Sequence, residues 1–113
     1  KMKKIEAIIR PEKLDEVKSA LEKENLVSMN VTEIRGRGIQ KGAKLMWRGD
    51  EYLMEMVPKM RIDMVVRDED AEKVVKIIRE TAYTGNIGDG KIFVLPVEEA
   101  IRVRTGERGE EAL

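Results

Sequence analysis

The chain has 113 residues, with 22 Lys plus Arg against 22 Asp plus Glu, so its formal net charge is zero. One domain is the expectation at that length, and a balanced charge speaks against a general nucleic-acid binder. Histidine and cysteine are both absent, which removes imidazole acid–base catalysis, Ser-His-Asp triads, thiolate chemistry and the usual zinc sites.

Lys1, ahead of Met2, reads as a remnant of expression. The stretch "MKKIEAIIR" then alternates, with Ile5, Ala7 and Ile9 on one face, and predicts a strand. Pro11 suits a first helical turn, and Leu14, Val17, Ala20 and Leu21 form one apolar stripe of a helix over Glu12 to Glu24. "NLVSMNVTEIRG" alternates again through Val27, Met29 and Val31, and predicts a second strand. Regular patterning stops after Gly36 and resumes near Lys59. "KMRIDMVVR" then places Met60, Ile62, Met64 and Val66 on one strand face. Asp68 is a good N-cap for a second helix over Glu69 to Thr81, with Ala71, Val74, Val75, Ile78 and Ala82 at helical spacing. A glycine-rich turn, a strand "KIFVLPV" and a charged tail complete the chain.

The order strand, helix, strand, gap, strand, helix, strand is the α+β, ferredoxin-like split βαβ pattern (βαββαβ): an antiparallel sheet with two helices on one face. The gap, residues 37–57, exceeds the usual loop length of about 12–15 residues, which marks functional loops. It is read here as a recognition loop, or as a hairpin or short helix packed on the sheet. The only tryptophan, Trp47, sits there beside Arg48, and both residue types are enriched at interface hot spots.

The turn "TGNIGDGKIF" contains G-x-x-x-x-G-K from Gly85 to Lys91. A P-loop needs Ser or Thr next, for the magnesium ion, and Ile92 stands there instead. Gly85, Gly88 and Gly90 still allow backbone N–H groups to form a concave anion site, with Lys91 beside it. Arg102 and Arg104, two apart, share one face if they lie on a strand and suit a polyphosphate.

These motifs resemble a known family. "TGNIGDGKIFVLPVEEAIRVRTGE" is very close to the C-terminal signature of the PII nitrogen-regulatory signal proteins, and "RGRGIQKGAKLMWRGDEYLMEMVPK" resembles that family's T-loop. "MKKIEAIIRPEKLDEVKSAL" fits as well, so the resemblance covers Met2 to Leu113 as one domain. It implies a homotrimer with nucleotide clefts between subunits, a T-loop at about 37–57, a phosphate-binding turn at 84–91 and a tail at 98–113.

The resemblance further implies that ATP and ADP compete for each cleft. Gly88, Asp89, Gly90 and Lys91 hold phosphates, Arg102 and Arg104 assist, and Thr84 frames the turn. Gly36, Arg37, Gly38 and Gln40 approach from the T-loop base, with Ile8, Asn30 and Val65 near the nucleoside. 2-Oxoglutarate binds with Mg²⁺ and ATP through Gly38, Gln40, Lys41, Gly42 and Lys59, and Gln40 is the implied metal ligand. Trp47, Arg48 and Met54 face a partner, and Tyr52 matches a modifiable tyrosine.

The implied role is a cytoplasmic signalling protein, not an enzyme and not inserted in a membrane. It regulates an ammonium transporter and is recruited to the membrane through it. Nitrogenase or a biosynthetic enzyme is an alternative target, and a slow ATPase or phosphotransferase an alternative activity. RNA binding, which the same strand order serves elsewhere, is disfavoured by 4% aromatic residues. Departures from the family pattern include Ile39, Asn30, Trp47, Asp63 and Tyr83.

Overall fold

Alternation in the first strand has a direct structural cause. In the computed structural model, β1 (Met2–Ile9) lies between two antiparallel neighbours, and Ile5, Ala7 and Ile9 are buried beneath the helices. The structure describes the backbone of residues 1–47 and 50–113 and the side chains of residues 1–38 and 55–113.

A 3₁₀ turn at Pro11–Lys13 leads into α1 (Leu14–Glu22). β2 (Asn30–Trp47), β3 (Asp50–Arg67), α2 (Asp68–Ala82) and β4 (Gly90–Val97) follow. The sheet order is β2-β3-β1-β4, and all three pairings are antiparallel. This is the expected ferredoxin-like arrangement.

Register explains the core. Ile5 sits between Met64 and Val94, and Ala7 between Ile62 and Ile92, so residues of one parity share the face beneath the helices. Val17 and Leu21 of α1 and Ala71, Val74, Ile78 and Ala82 of α2 complete that core. The expected stripes are therefore those observed, with Leu14, Ala20, Met60 and Val75 half-buried at their margins.

Three local expectations are corrected, and the open readings of 37–57 are narrowed. β2 begins at Asn30, so Val27 and Met29 precede it. The cause is the end of α1. Asn25 takes a positive φ of 61°, its N–H donates to the Glu22 carbonyl and the Leu26 N–H to the Leu21 carbonyl. This is a Schellman ending, and it turns Leu26 back onto the core.

Asp68 is the first residue of α2, and the capping position falls to Arg67, whose side chain makes no capping bond. The Asp68 N–H instead donates to the Lys1 carbonyl, and its carboxylate lies 3.9 Å from Lys3 Nζ. Pairing with β1 thus holds the extended chain up to Arg67.

Of the readings open for 37–57, the backbone pairing is that of a hairpin ladder. Pairing continues from Gly36↔Val57 through Gly38↔Glu55 to Trp47↔Asp50, with an irregularity between Lys41 and Leu45. At its described end the ribbon is open to solvent, with Met56 57% exposed, so no buried face imposes alternation there.

Arg102 and Arg104 do not lie on a strand. An isolated bridge joins Ile101 to Arg108, and the chain between them turns, with the Gly106 N–H donating to the Arg102 carbonyl. The parallel pair of guanidinium groups expected from strand geometry is therefore not formed. Arg102 donates to Glu107 and to the Leu113 carbonyl, while Arg104 is exposed.

Candidate functional site

The turn between α2 and β4 is organised around one carboxylate. Asp89 accepts from the backbone N–H groups of Thr84 and Gly85 at 2.8 and 2.9 Å, and from the Thr84 hydroxyl. Arg10, at the end of β1, adds its Nε at 3.0 Å. The Thr84 bonds above all hold the Asp89 carboxyl well below the usual carboxylate range, assisted by the Gly85 N–H and Arg10. Asp89 is thus a structural anion, committed to the turn's own donors.

Glycine is required where the turn enters β4. Gly90 has φ +106°, and a Cβ there would lie 1.7 Å from the Ile8 carbonyl oxygen. Ile8 itself is opposite Lys91 in the sheet. Among the described residues, nothing accepts a hydrogen bond from the Gly88 N–H, so that donor is available to an anion.

Next to this turn lies a cleft of about 290 Å³, lined by Gly38 of β2, Lys59 of β3, Gly88 of the turn, and Arg10 and Glu12. Lys59 Nζ donates to the Gly88 carbonyl. Burial lowers the Lys59 ammonium pKa, and the Arg10 charge lowers it further, against the raising effect of Glu12 and Asp89. Gly36 is opposite Val57, beside Lys59, and Arg37 is exposed opposite Met56.

A second cleft, of about 450 Å³, is lined by Asn30, Asp63, Val65, Lys4 and Leu113. Asp63 Oδ1 is shielded from solvent and accepts no hydrogen bond. Its neighbours are Lys4 Nζ at 3.8 Å and, at the other oxygen, Arg61 Nε at 3.1 Å. A buried acceptor without a donor is uncommon, and here the nearby Lys4 ammonium offsets its charge.

The structure therefore brings Gly38, Lys59 and Gly88 together, with Thr84, Asp89, Gly90 and Lys91 shaping the same turn. It gathers Asn30 and Val65 in a separate place. Arg102 and Arg104 line neither cleft. Gln40, Lys41, Gly42, Trp47, Tyr52 and Met54 lie, beyond their backbone, outside the described residues, and Arg48 lies outside them altogether. Sequence reasoning missed Arg10 and Glu12, and saw Asp63 only as a departure from a pattern. Arg10 precedes Asp89 by 79 positions, so no local pattern could have connected them.

Comparison with known proteins agrees with this fold. The family model for nitrogen regulatory protein P-II matches residues 2–107. The nitrogen regulatory protein P-II of Rhizobium meliloti (strain 1021) is 55% identical over 112 residues, covering 99% of this chain and 100% of the relative. Nitrogen regulatory protein P-II 2 of Methanothermobacter thermautotrophicus is 54% identical, covering 99% of this chain and 97% of that protein. Among solved structures, Arabidopsis thaliana PII bound to citrate superposes with a TM-score of 0.80 at 43% identity, covering 100% of this chain and 92% of that one. Bacillus subtilis GlnK superposes at 0.81 with 33% identity, covering 99% and 98%. With a family model matched over residues 2–107 and relatives more than 50% identical over 99% of its length, the chain belongs to the nitrogen regulatory P-II family.

Proposed function

We propose that this P-II protein senses ATP or ADP together with 2-oxoglutarate and transmits the result through the 37–57 hairpin to an ammonium transporter. The observation that carries the reading is the cleft in which Lys59 meets the Gly88 turn. Phosphates fit the open Gly88 amide with Lys91 beside it, and a carboxylate fits Lys59. That a relative is named as bound to citrate supports a carboxylate ligand in this family. Among the described residues, no cluster of three acidic side chains can cage a metal ion. Magnesium would lean on phosphate oxygens and on an amide such as that of Gln40, as its preference for oxygen ligands allows.

The nucleoside fits the second cleft, where Asp63 Oδ1 lacks a donor and Asn30 and Val65 stand. Lys59 and Val65 are six positions apart on β3, about 20 Å at strand rise. A nucleotide that needs both sites is best served by the first cleft of one copy and the second of a neighbour, which supports self-association, for which the proposal takes a homotrimer. Phe93, Val94 and Leu95 are 46%, 49% and 41% exposed on the edge strand β4, a surface suited to that contact. Among the described residues, no helix is long and apolar enough to cross a membrane, so membrane recruitment would come through the transporter.

A phosphotransferase reading finds no base in the turn. Asp89 is committed to Thr84, Gly85 and Arg10, and its lowered pKa makes it a weak proton acceptor. Calorimetric titration tests the proposal. ATP and ADP bind competitively, 2-oxoglutarate binds only with Mg²⁺ and ATP, and Gln40→Ala removes the keto-acid response while sparing most ATP affinity. Wild-type protein that binds 2-oxoglutarate equally with ADP and with Mg-ATP would falsify it. For the hairpin's target, pull-down from membranes is expected to capture the transporter with ADP and to lose it with ATP plus 2-oxoglutarate.

A further inference from the structure

We propose that Arg10 is the positioning residue of the phosphate-binding turn: its guanidinium grips Ile87, Gly88 and Asp89 in succession and sets the glycine backbone for the ligand. The inference rests on the nucleotide reading of that turn. Arg10 Nη2 donates to the Ile87 carbonyl at 2.8 Å, and Nε to Asp89 Oδ1 at 3.0 Å. Between them, a Cβ on Gly88 would lie 3.3 Å from Nη2, so the guanidinium packs against that glycine. Asp89 passes the constraint on, because its other oxygen holds the N–H groups of Thr84 and Gly85 at the far side of the turn. One cation thus ties both sides of the turn to the end of β1.

An ordinary surface ion pair is the simpler reading of such a contact, and exposed pairs of that kind do little. Three features separate this one. Both side chains are largely covered, at 23% and 24% exposure. The planar fork engages a carboxylate and a backbone carbonyl at once, a geometry that a flexible point charge does not reproduce. The base of the side chain is preset, since Arg10 closes β1 with φ −64° and ψ 140° before Pro11, the backbone region that a following proline favours. Arg10 also borders the cleft, but its proposed role runs through Asp89 and the Ile87 carbonyl.

Calorimetry with ADP as the probe tests this on the full chain, comparing wild type, Arg10→Gln, Arg10→Lys, Asp89→Asn and the double variant Arg10→Gln/Asp89→Asn. Arg10→Gln is expected to weaken ADP at least tenfold, and Arg10→Lys to restore part of the loss. The double variant is expected to lose less than the product of the two single losses, because both changes break the Arg10–Asp89 link while only Arg10→Gln also removes the bond to the Ile87 carbonyl. ADP affinity within twofold of wild type in Arg10→Gln overturns the proposal. So does a double variant that loses the product of the two single losses, which would make Arg10 a direct ligand. If wild type binds no ADP, the nucleotide reading fails by itself. Amide exchange at Thr84 and Gly85, followed by NMR, then decides the positioning role: faster exchange in Arg10→Gln supports it, and unchanged exchange overturns it.

Discussion

Lys59 of β3 and Gly88 of the turn before β4 are 29 positions apart in sequence, yet the Lys59 ammonium donates directly to the Gly88 carbonyl. The same lysine lines the cleft that Gly38 and Arg10 share. A carboxylate arriving at Lys59 would compete with that carbonyl for its protons. The hydrogen bond thus joins the carboxylate end of the proposed site to its phosphate end.

Lys59→Met is expected to abolish 2-oxoglutarate binding and to leave ADP binding within a few-fold of wild type. Calorimetry reads both. Because burial and Arg10 lower the Lys59 pKa, the folded state binds its proton less tightly than the unfolded chain does. Wild-type stability relative to Lys59→Met should therefore rise as pH approaches the ordinary lysine value of 10.5. Keto-acid affinity should fall over the same window, as Lys59 loses its charge. Thermal unfolding and titration at neutral pH and at a pH near the ordinary lysine value of 10.5 check the two signs together.

Asp89→Asn should destabilise the turn by about 2 kcal/mol, the scale of a charged acceptor's hydrogen bonds in partial burial. The Asp89 carboxyl is held below its ordinary value of 3.8, so its contribution is complete above that pH and is lost as pH falls through its lowered pKa. Urea unfolding of both proteins, neutral and strongly acidic, should show the gap closing in acid. An equal gap at both pH values would mean that the turn does not need the anion.

Gly90→Ala and Gly106→Ala separate crowding from backbone conformation. Both glycines have positive φ, +106° and +76°, but only at Gly90 would a Cβ meet the Ile8 carbonyl, at 1.7 Å. Gly106→Ala should cost about 1–2 kcal/mol, the left-handed penalty. Gly90→Ala should cost more than that, because the β1–β4 pairing must also shift. Denaturant midpoints rank the two, and equal losses would refute the crowding argument.

Leu95→Asp tests the proposed self-association. Leu95 is 41% exposed on β4 and opposite Lys4 in register. Burying a carboxylate at an interface carries a desolvation cost that the facing Lys4 does not fully offset, so sedimentation should show a smaller species with retained secondary structure. Wild type that sediments as a monomer would remove the trimer from the proposal.

Much of the fold was legible because one side of each element is buried. Ile5, Ala7 and Ile9 had to alternate, and Val74, Ile78 and Ala82 had to recur at helical spacing, since the core lies on one side only. The 37–57 hairpin escaped that logic. Its pairing rests on backbone hydrogen bonds, which by themselves impose no period on the side chains. The Arg102–Arg104 pair was misread for a related reason. Spacing of two means a shared face only on a strand, and residues 101–108 turn.

What the sequence by itself determined is the order of elements, the buried face of each and the glycines that allow an anion turn at 85–91. These are local properties, governed by backbone freedom and by which side chains must leave water. Only the tertiary structure decided that Arg10 closes on Ile87 and Asp89, that Lys59 reaches Gly88, and that Asn30 and Val65 share a cleft elsewhere. Those meetings depend on the β2-β3-β1-β4 order, which carries distant strand ends to one edge of the sheet. A hydrogen bond between residues so far apart leaves no trace in spacing; it exists only once the strands have paired.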